Sequence, residues 1–373
     1  MIVYLIMFFS AEVIVCFAMN GKSKMFGFSI NKRGFRFNSR NIGLWLSAIP
    51  FFVVAAIRYN VGTDYIQYSI LHIPRVLNGT STSIELLYQY VIKIGYWIDG
   101  TQGIFALTHL LLIFFIWKHM ISYSKNLALS IYIFMFGIFY NSSLNLMRQF
   151  LAMSICLYAL KYIYTKKFWK YLICIIVAGF FHRLAFVMII FYWCDHIKVN
   201  IRKSIIAIII CTLISTPLRN LLIRFTEIFG VYTNYIDTKY DYGTTQIDFL
   251  LCELLIFCLA NVCTMQASTN RFSIFKVNVQ ESIKGQVNVL NCFQLVTVLT
   301  AALSSIIPNS SRVILLFSLC QITYVPLVLE CVIDKRQRFF MSSLFIVLYI
   351  LIFWRFIVVR GMGETLPYQT IFQ

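Results

Sequence analysis

Four arginines and one histidine stand where a membrane chain has least reason to put them. Arg58 follows an apolar run, Arg148 begins one, His182 and Arg183 occupy the bend between two short ones, and Arg312 opens another. An arginine near a helix end ordinarily snorkels to lipid headgroups. A set of them at one depth suits another task, because planar guanidinium groups bind phosphate oxygens in pairs and a convergent set fits a diphosphate. Two candidates for accepting a proton lie beside them, His182 and the Asp64 of Arg58-Tyr59-Asn60-Val61-Gly62-Thr63-Asp64-Tyr65. Thr63 and Asp64 are equally suited to capping the helix that follows, and His182 to packing in a bundle.

The elements that must hold these residues are membrane helices. Of 373 residues, 60% are hydrophobic and 12% charged, about half the charge of a soluble globular chain. No 100-residue window lacks a membrane-length apolar run, so the chain reads as one all-α, polytopic domain over 1–373. Twelve spans are expected, at 2–19, 42–57, 103–117, 127–140, 146–164, 169–181, 184–194, 204–222, 249–265, 289–307, 313–332 and 339–359. The sixth and seventh are short enough to form a re-entrant pair instead, leaving ten. The first run lacks a basic n-region and a small-residue cleavage site, so it is expected to be retained.

The net charge of +18 invites a nucleic-acid reading until the basic residues are placed. With the N-terminus outside, the loops 20–41, 118–126, 161–170, 195–203, 266–288 and 333–338 become cytoplasmic and hold 21 of the 32 Lys and Arg, against 10 in the external loops. Most of the charge is therefore orientation charge, with no nucleic-acid partner implied. The arginines and His182 then all fall on the external side. External loops are expected at 58–102 and 219–248. Within the first, 84–98 has helical spacing but is too polar to span, and is expected to lie flat on the surface. Within the second, Asp241 lies among tyrosines, a mixture that suits either a carbohydrate groove or a solvated loop.

Other features carry less. The 11 cysteines form no CxxC pair and read as apolar packing residues. His72, His109, His119 and His196 have no second ligand at helical spacing, so no metal site and no cofactor are expected. Glu12 and Glu253 fall inside apparent spans, where a carboxylate is a functional candidate by default. Asn78, Asn141 and Asn309 begin Asn-x-Ser/Thr triplets that assign no function. No phosphate-binding glycine loop or nucleophile elbow occurs.

Taken together, Arg58 to Tyr65, Glu85-Leu86-Leu87-Tyr88, Asn145-Leu146-Met147-Arg148-Gln149-Phe150-Leu151-Ala152 and Phe181-His182 followed by Ala185 resemble the EpsG family of bacterial exopolysaccharide proteins, which belongs with the Wzy-type polymerases. The motifs are recognisable between about residues 40 and 200, and the likeness runs on more loosely through Arg312 to Leu366-Pro367-Tyr368. Leu184 departs from the small hydroxyl residue often found two positions after the family's histidine. The resemblance implies the Wzy-type membrane glycosyltransferase fold. It also implies a polysaccharide polymerase at the outer face of the cytoplasmic membrane, acting on undecaprenyl-pyrophosphate-linked oligosaccharide donor and acceptor, with a flippase and a chain-length regulator as partners. On that reading Arg148 and Arg58 bind the pyrophosphate, Arg183 and Arg312 contribute, and His182 or Asp64 is the base. Tyr65, Glu85, Asn145, Gln149 and Asp241 are then expected to contact substrate. A polysaccharide flippase or exporter and an outer-face O-acyltransferase are the alternatives.

Overall fold

The computed structural model describes residues 1–20, 25–30, 33–80, 84–229, 244–265, 275–307 and 309–372. They pack as two compact units, one of Met1–Ile189 with Tyr349–Gln373, the other of Ile190–Leu348. Both are helical. The one sheet among the described residues is an antiparallel hairpin of β1 (Met25–Ile30) and β2 (Arg33–Asn38).

In the first unit α1 (Ile2–Asn20) is followed by the hairpin and then by α2 (Ser39–Leu46) and α3 (Ile49–Ala56). Pro50 lies in the first turn of α3. Its missing N–H and fixed φ suit a helix start and break the apolar run in two. Next comes a helical stretch of mixed type: α4 (Asp64–Ile66), a π-helical turn over Gln67–His72, and α5 (Ile73–Leu77).

The helical element α6 (Leu86–Tyr123) is interrupted at Asp99 and Gly100, where Gly100 takes φ +52°. The chain turns back on itself there. Gly95 and Gly103 lie in contact, and a Cβ on Gly103 would fall 2.2 Å from the Gly95 carbonyl oxygen. Tyr88 and Thr108, 20 residues apart, have hydroxyls 3.1 Å from each other. A straight helix would separate them by about 30 Å. The stretch expected to lie flat on the surface thus runs alongside the span that follows it.

A similar break divides α7 (Leu127–Phe136) from α8 (Phe139–Asn145), bent by 52° about Ile138, which holds φ +63°. Then come α9 (Met147–Tyr164), α10 (Phe168–Gly179) and a 3₁₀ segment over Arg183–His196. Phe51, Trp117, Phe134 and Tyr140 form an aromatic core with ring centroids 5.1 to 5.9 Å apart.

In the second unit α11 (Ile201–Phe229), α12 (Ile247–Val262) and α13 (Glu281–Ala302) close around Ile208, Phe257 and Val298. They are followed by α14 (Ser310–Ser318), α15 (Gln321–Glu330) and α16 (Lys335–Phe353), the last running on past the unit boundary.

Among the described residues four helices are long and apolar enough to cross a membrane, or six if the bent pairs α7 with α8 and α14 with α15 each count as one. The all-helical membrane class therefore stands, while the expected twelve spans do not follow. Hydropathy counts apolar residues, whereas several of the runs are cut by kinks at Pro50, Ile138 and Leu319, or are only 12 residues long like α10.

Candidate active site

The site is built where the loop after α3 meets the C-terminal segment. Tyr59 N–H donates to the Gln369 carbonyl at 3.0 Å and Ile371 N–H to the Ile57 carbonyl at 3.0 Å. Gly62 and Thr63 N–H donate to the carbonyls of Glu364 and Gly363, each at 3.1 Å. The Asn145 carboxamide is clasped between these strands of chain. A Cβ on Gly62 would stand 2.5 Å from Asn145 Oδ1, and one on Gly363 would stand 2.3 Å from Nδ2. Both glycines also have positive φ, +99° and +75°, so two independent constraints select glycine. Asn145 Oδ1 accepts from the Thr63 hydroxyl at 3.2 Å and from Asp64 N–H at 3.5 Å. One turn earlier, Asn141 Nδ2 donates to the Thr365 hydroxyl at 2.8 Å. Asn145, expected to contact substrate, is spent on this clasp and is buried.

Arg58 lies inside the protein, with no exposed surface. Nη1 donates to the Leu144 carbonyl at the end of α8, Nη2 lies 2.9 Å from the Met147 sulfur, and the guanidinium stands 4.8 Å from the centre of the Phe105 ring. Burial pulls its pKa down against the tyrosines Tyr140, Tyr4, Tyr88 and Tyr65, which pull it up. It therefore does not present its charge at a surface, as the sequence led us to expect. It grips the end of α8 and the first residue of α9 instead, the residue immediately before Arg148.

Arg148 is oriented differently. Its Nη1 donates to Glu85 Oε2 at 2.8 Å, its Nε to the Tyr68 hydroxyl at 3.0 Å, and its side chain is 20% exposed. Nη2 has no partner among the described residues. The other Glu85 oxygen accepts the Arg183 N–H at 3.4 Å, and Leu87 N–H donates to the Phe180 carbonyl at 3.2 Å. Glu85 thus ties the start of α9 to the bend after α10, bringing Arg148 beside His182 and the exposed Arg183. His182 Nδ1 accepts the Leu184 N–H at 3.3 Å, which places the proton of the neutral ring on Nε2.

The remaining expected residues are scattered. Tyr65 is buried, its ring 4.8 Å from that of Phe105. Gln149 is buried with Nε2 3.6 Å from the Met153 sulfur. Asp64 is half-buried in the first turn of α4. Arg312 belongs to the second unit, and Asp241 lies outside the described residues. In the second unit Glu253 Oε2 accepts from Gln294 at 2.9 Å and Gln321 at 2.6 Å, so this buried carboxylate is held by amides. Among the described residues no three His, Cys, Asp or Glu side chains gather as metal ligands.

Two further residues join the cluster, Tyr68, which the sequence left unremarked, and His72, which was set aside as a histidine standing alone. Tyr68 contacts Arg148, and the His72 ring lies 5.2 Å from the Tyr68 ring. Their four-residue spacing on one helix was the available signal, but neither type announces a site without Arg148, 80 residues away.

The model of the EpsG family matches residues 42–370, nearly the whole chain. No curated protein and no solved structure matches it.

Proposed function

Because the chain belongs to the EpsG family, a Wzy-like polymerase family, we propose that it joins oligosaccharide repeat units carried on a polyprenyl diphosphate, at the outer face of the cytoplasmic membrane. The observation that supports this reading most is Arg148, whose guanidinium is fixed on two sides while Nη2 is left for a ligand.

In the proposed reaction the acceptor sugar's hydroxyl oxygen attacks the anomeric carbon of the donor. The bond from that carbon to the phosphate oxygen breaks and its electron pair leaves with the diphosphate. Negative charge grows on the departing oxygen, and a prepositioned guanidinium in a site with little water stabilises it strongly. Glu85 and Tyr68 hold the Arg148 plane, so no reorientation is needed as charge develops. Arg183, tied in through its own N–H, adds a second exposed cation, with His182 its neighbour at the same bend. Arg58 acts as a positioning residue beneath them, through Leu144 and Met147. Arg312 remains a candidate contributor to diphosphate binding, and Asp241 a candidate substrate contact.

The test is to reconstitute purified protein in liposomes with radiolabelled repeat-unit lipid diphosphate. A ladder of longer glycans is expected. Unchanged lipid moved across the bilayer would indicate a transporter, and modification only with an added acyl donor would indicate an acyltransferase; either overturns the reading.

A further inference from the structure

The helical stretch containing Tyr68 and His72 is unusual in its backbone. It widens into a π-helical turn over Gln67–His72, with Ile73 N–H reaching back to the Tyr68 carbonyl. Such turns cost hydrogen-bond geometry and occur often at functional sites. This one presents Tyr68 and His72 together beside Arg148.

The two side chains are each left with unused hydrogen-bonding capacity. Tyr68 is buried, and its hydroxyl oxygen accepts from Arg148 Nε, while its own proton has no acceptor among the described residues. His72 is half-buried, and its Nδ1 is fully enclosed without a partner among the described residues. His109 Nε2 is enclosed likewise, so it is the place of His72 beside Tyr68 and Arg148 that sets it apart.

The charges around His72 favour the neutral ring. Its pKa is lowered by burial first, then by Arg148 from α9 and Arg75 from α5. Tyr68 lies on the same turn, Tyr88 from α6 stands behind it at 6.2 Å between ring centres, and Glu85 is already paired with Arg148. The other candidates are less suited to taking a proton. His182 already accepts the Leu184 N–H at Nδ1, so the neutral ring is a donor at its other nitrogen. Asp64 lies in the first turn of α4, with its N–H on the Asn145 carboxamide of the clasp.

We propose that His72 is the catalytic base of the polymerisation, accepting the proton of the attacking sugar hydroxyl at Nε2, the ring nitrogen that is not enclosed, while Tyr68 positions Arg148 on the departing diphosphate. This rests on the polymerase reading above. The balance is complete without a co-reactant: the acceptor oxygen–hydrogen bond gives its proton to the imidazole, the new bond forms from that oxygen to the anomeric carbon, and the old carbon–oxygen electron pair goes to the diphosphate.

The experiment uses the full chain in liposomes with labelled repeat-unit lipid diphosphate, and compares wild type with His72→Gln, His72→Ala and Asp64→Asn between pH 5 and 9. Wild type should lose rate at the acid end as the base becomes protonated. In His72→Gln the rate at saturating lipid should fall by about 100-fold or more, the usual worth of a general base. Its KM for the lipid should stay within about twofold, and the acid limb should disappear. Added imidazole should restore part of the rate to His72→Ala. A His72→Gln enzyme that keeps its rate, or keeps the acid limb, overturns the assignment, as does an acid limb abolished by Asp64→Asn. If wild type itself makes no longer glycan at any pH, the polymerase reading fails first and takes this proposal with it.

Discussion

Replacing Arg148 by lysine keeps the positive charge and removes the fork, which makes it the sharpest perturbation of the site. Arg148 now donates through Nη1 to Glu85 at 2.8 Å and through Nε to Tyr68 at 3.0 Å, with Nη2 unpartnered among the described residues. A lysine ammonium is a point charge that cannot span those three positions. It will follow Glu85, whose side chain is only 12% exposed, and leave the phosphate position empty. Loss of one prepositioned donor to a developing oxyanion costs about 3 to 4 kcal/mol, which is roughly 10²- to 10³-fold in rate. The fold should lose about 1 kcal/mol, one hydrogen bond to Tyr68. Arg148→Ala differs, because it strands the Glu85 carboxylate in a mostly buried place, and the double variant Arg148→Ala with Glu85→Gln should be better folded than Arg148→Ala alone. The assay is the elongation rate of labelled lipid in liposomes, read beside the melting temperature in detergent. Elongation by Arg148→Lys within threefold of wild type would refute the idea that the forked geometry is used.

Two further predictions concern the scaffold. Gly363→Ala puts a methyl group 2.3 Å from Asn145 Nδ2 at a φ of +75°, so the clasp must open; we expect about 1 to 3 kcal/mol of destabilisation, measured as a lower melting temperature. Arg58→Ala removes a wholly buried cation that holds Leu144 and Met147, and should reduce the folded protein recovered from membranes; a well-folded variant whose only defect is a raised KM for lipid would show that Arg58 binds substrate directly.

The outline of the site was readable from the residues, and its inner layer was not. Arg148 and the His182-Arg183 bend could be picked out because each breaks the pattern of an apolar chain at a helix end, Glu85 entered through the family motif, and the structure does bring them together. Arg58 follows the same pattern yet turns inward. Around it gather Tyr65 of its own loop and Tyr4, Tyr88 and Tyr140 from three distant stretches, and no local spacing encodes that convergence. Asn145 stood in a recognisable motif, but its role in clasping Gly62 and Gly363 needs the last residues of the chain to return beside the loop after α3. The turn at Asp99-Gly100 was present as an ordinary turn dipeptide, and the small residues Gly95 and Gly103 on either side were the cue that two helices meet there. The count of twelve spans goes beyond the four to six found among the described residues for a plainer reason: hydropathy sums over a window and does not see a left-handed residue such as Ile138 inside it.

The central claim is that a lipid diphosphate departs as each sugar bond forms. Counting both products in one liposome reaction tests it most directly, with labelled glycan for the bonds made and free polyprenyl diphosphate for the carriers released. The account predicts equal numbers in wild type, and both products falling together by roughly 10²- to 10³-fold in Arg148→Lys. Longer glycan with no free lipid diphosphate, or free lipid diphosphate with no longer glycan, would contradict it.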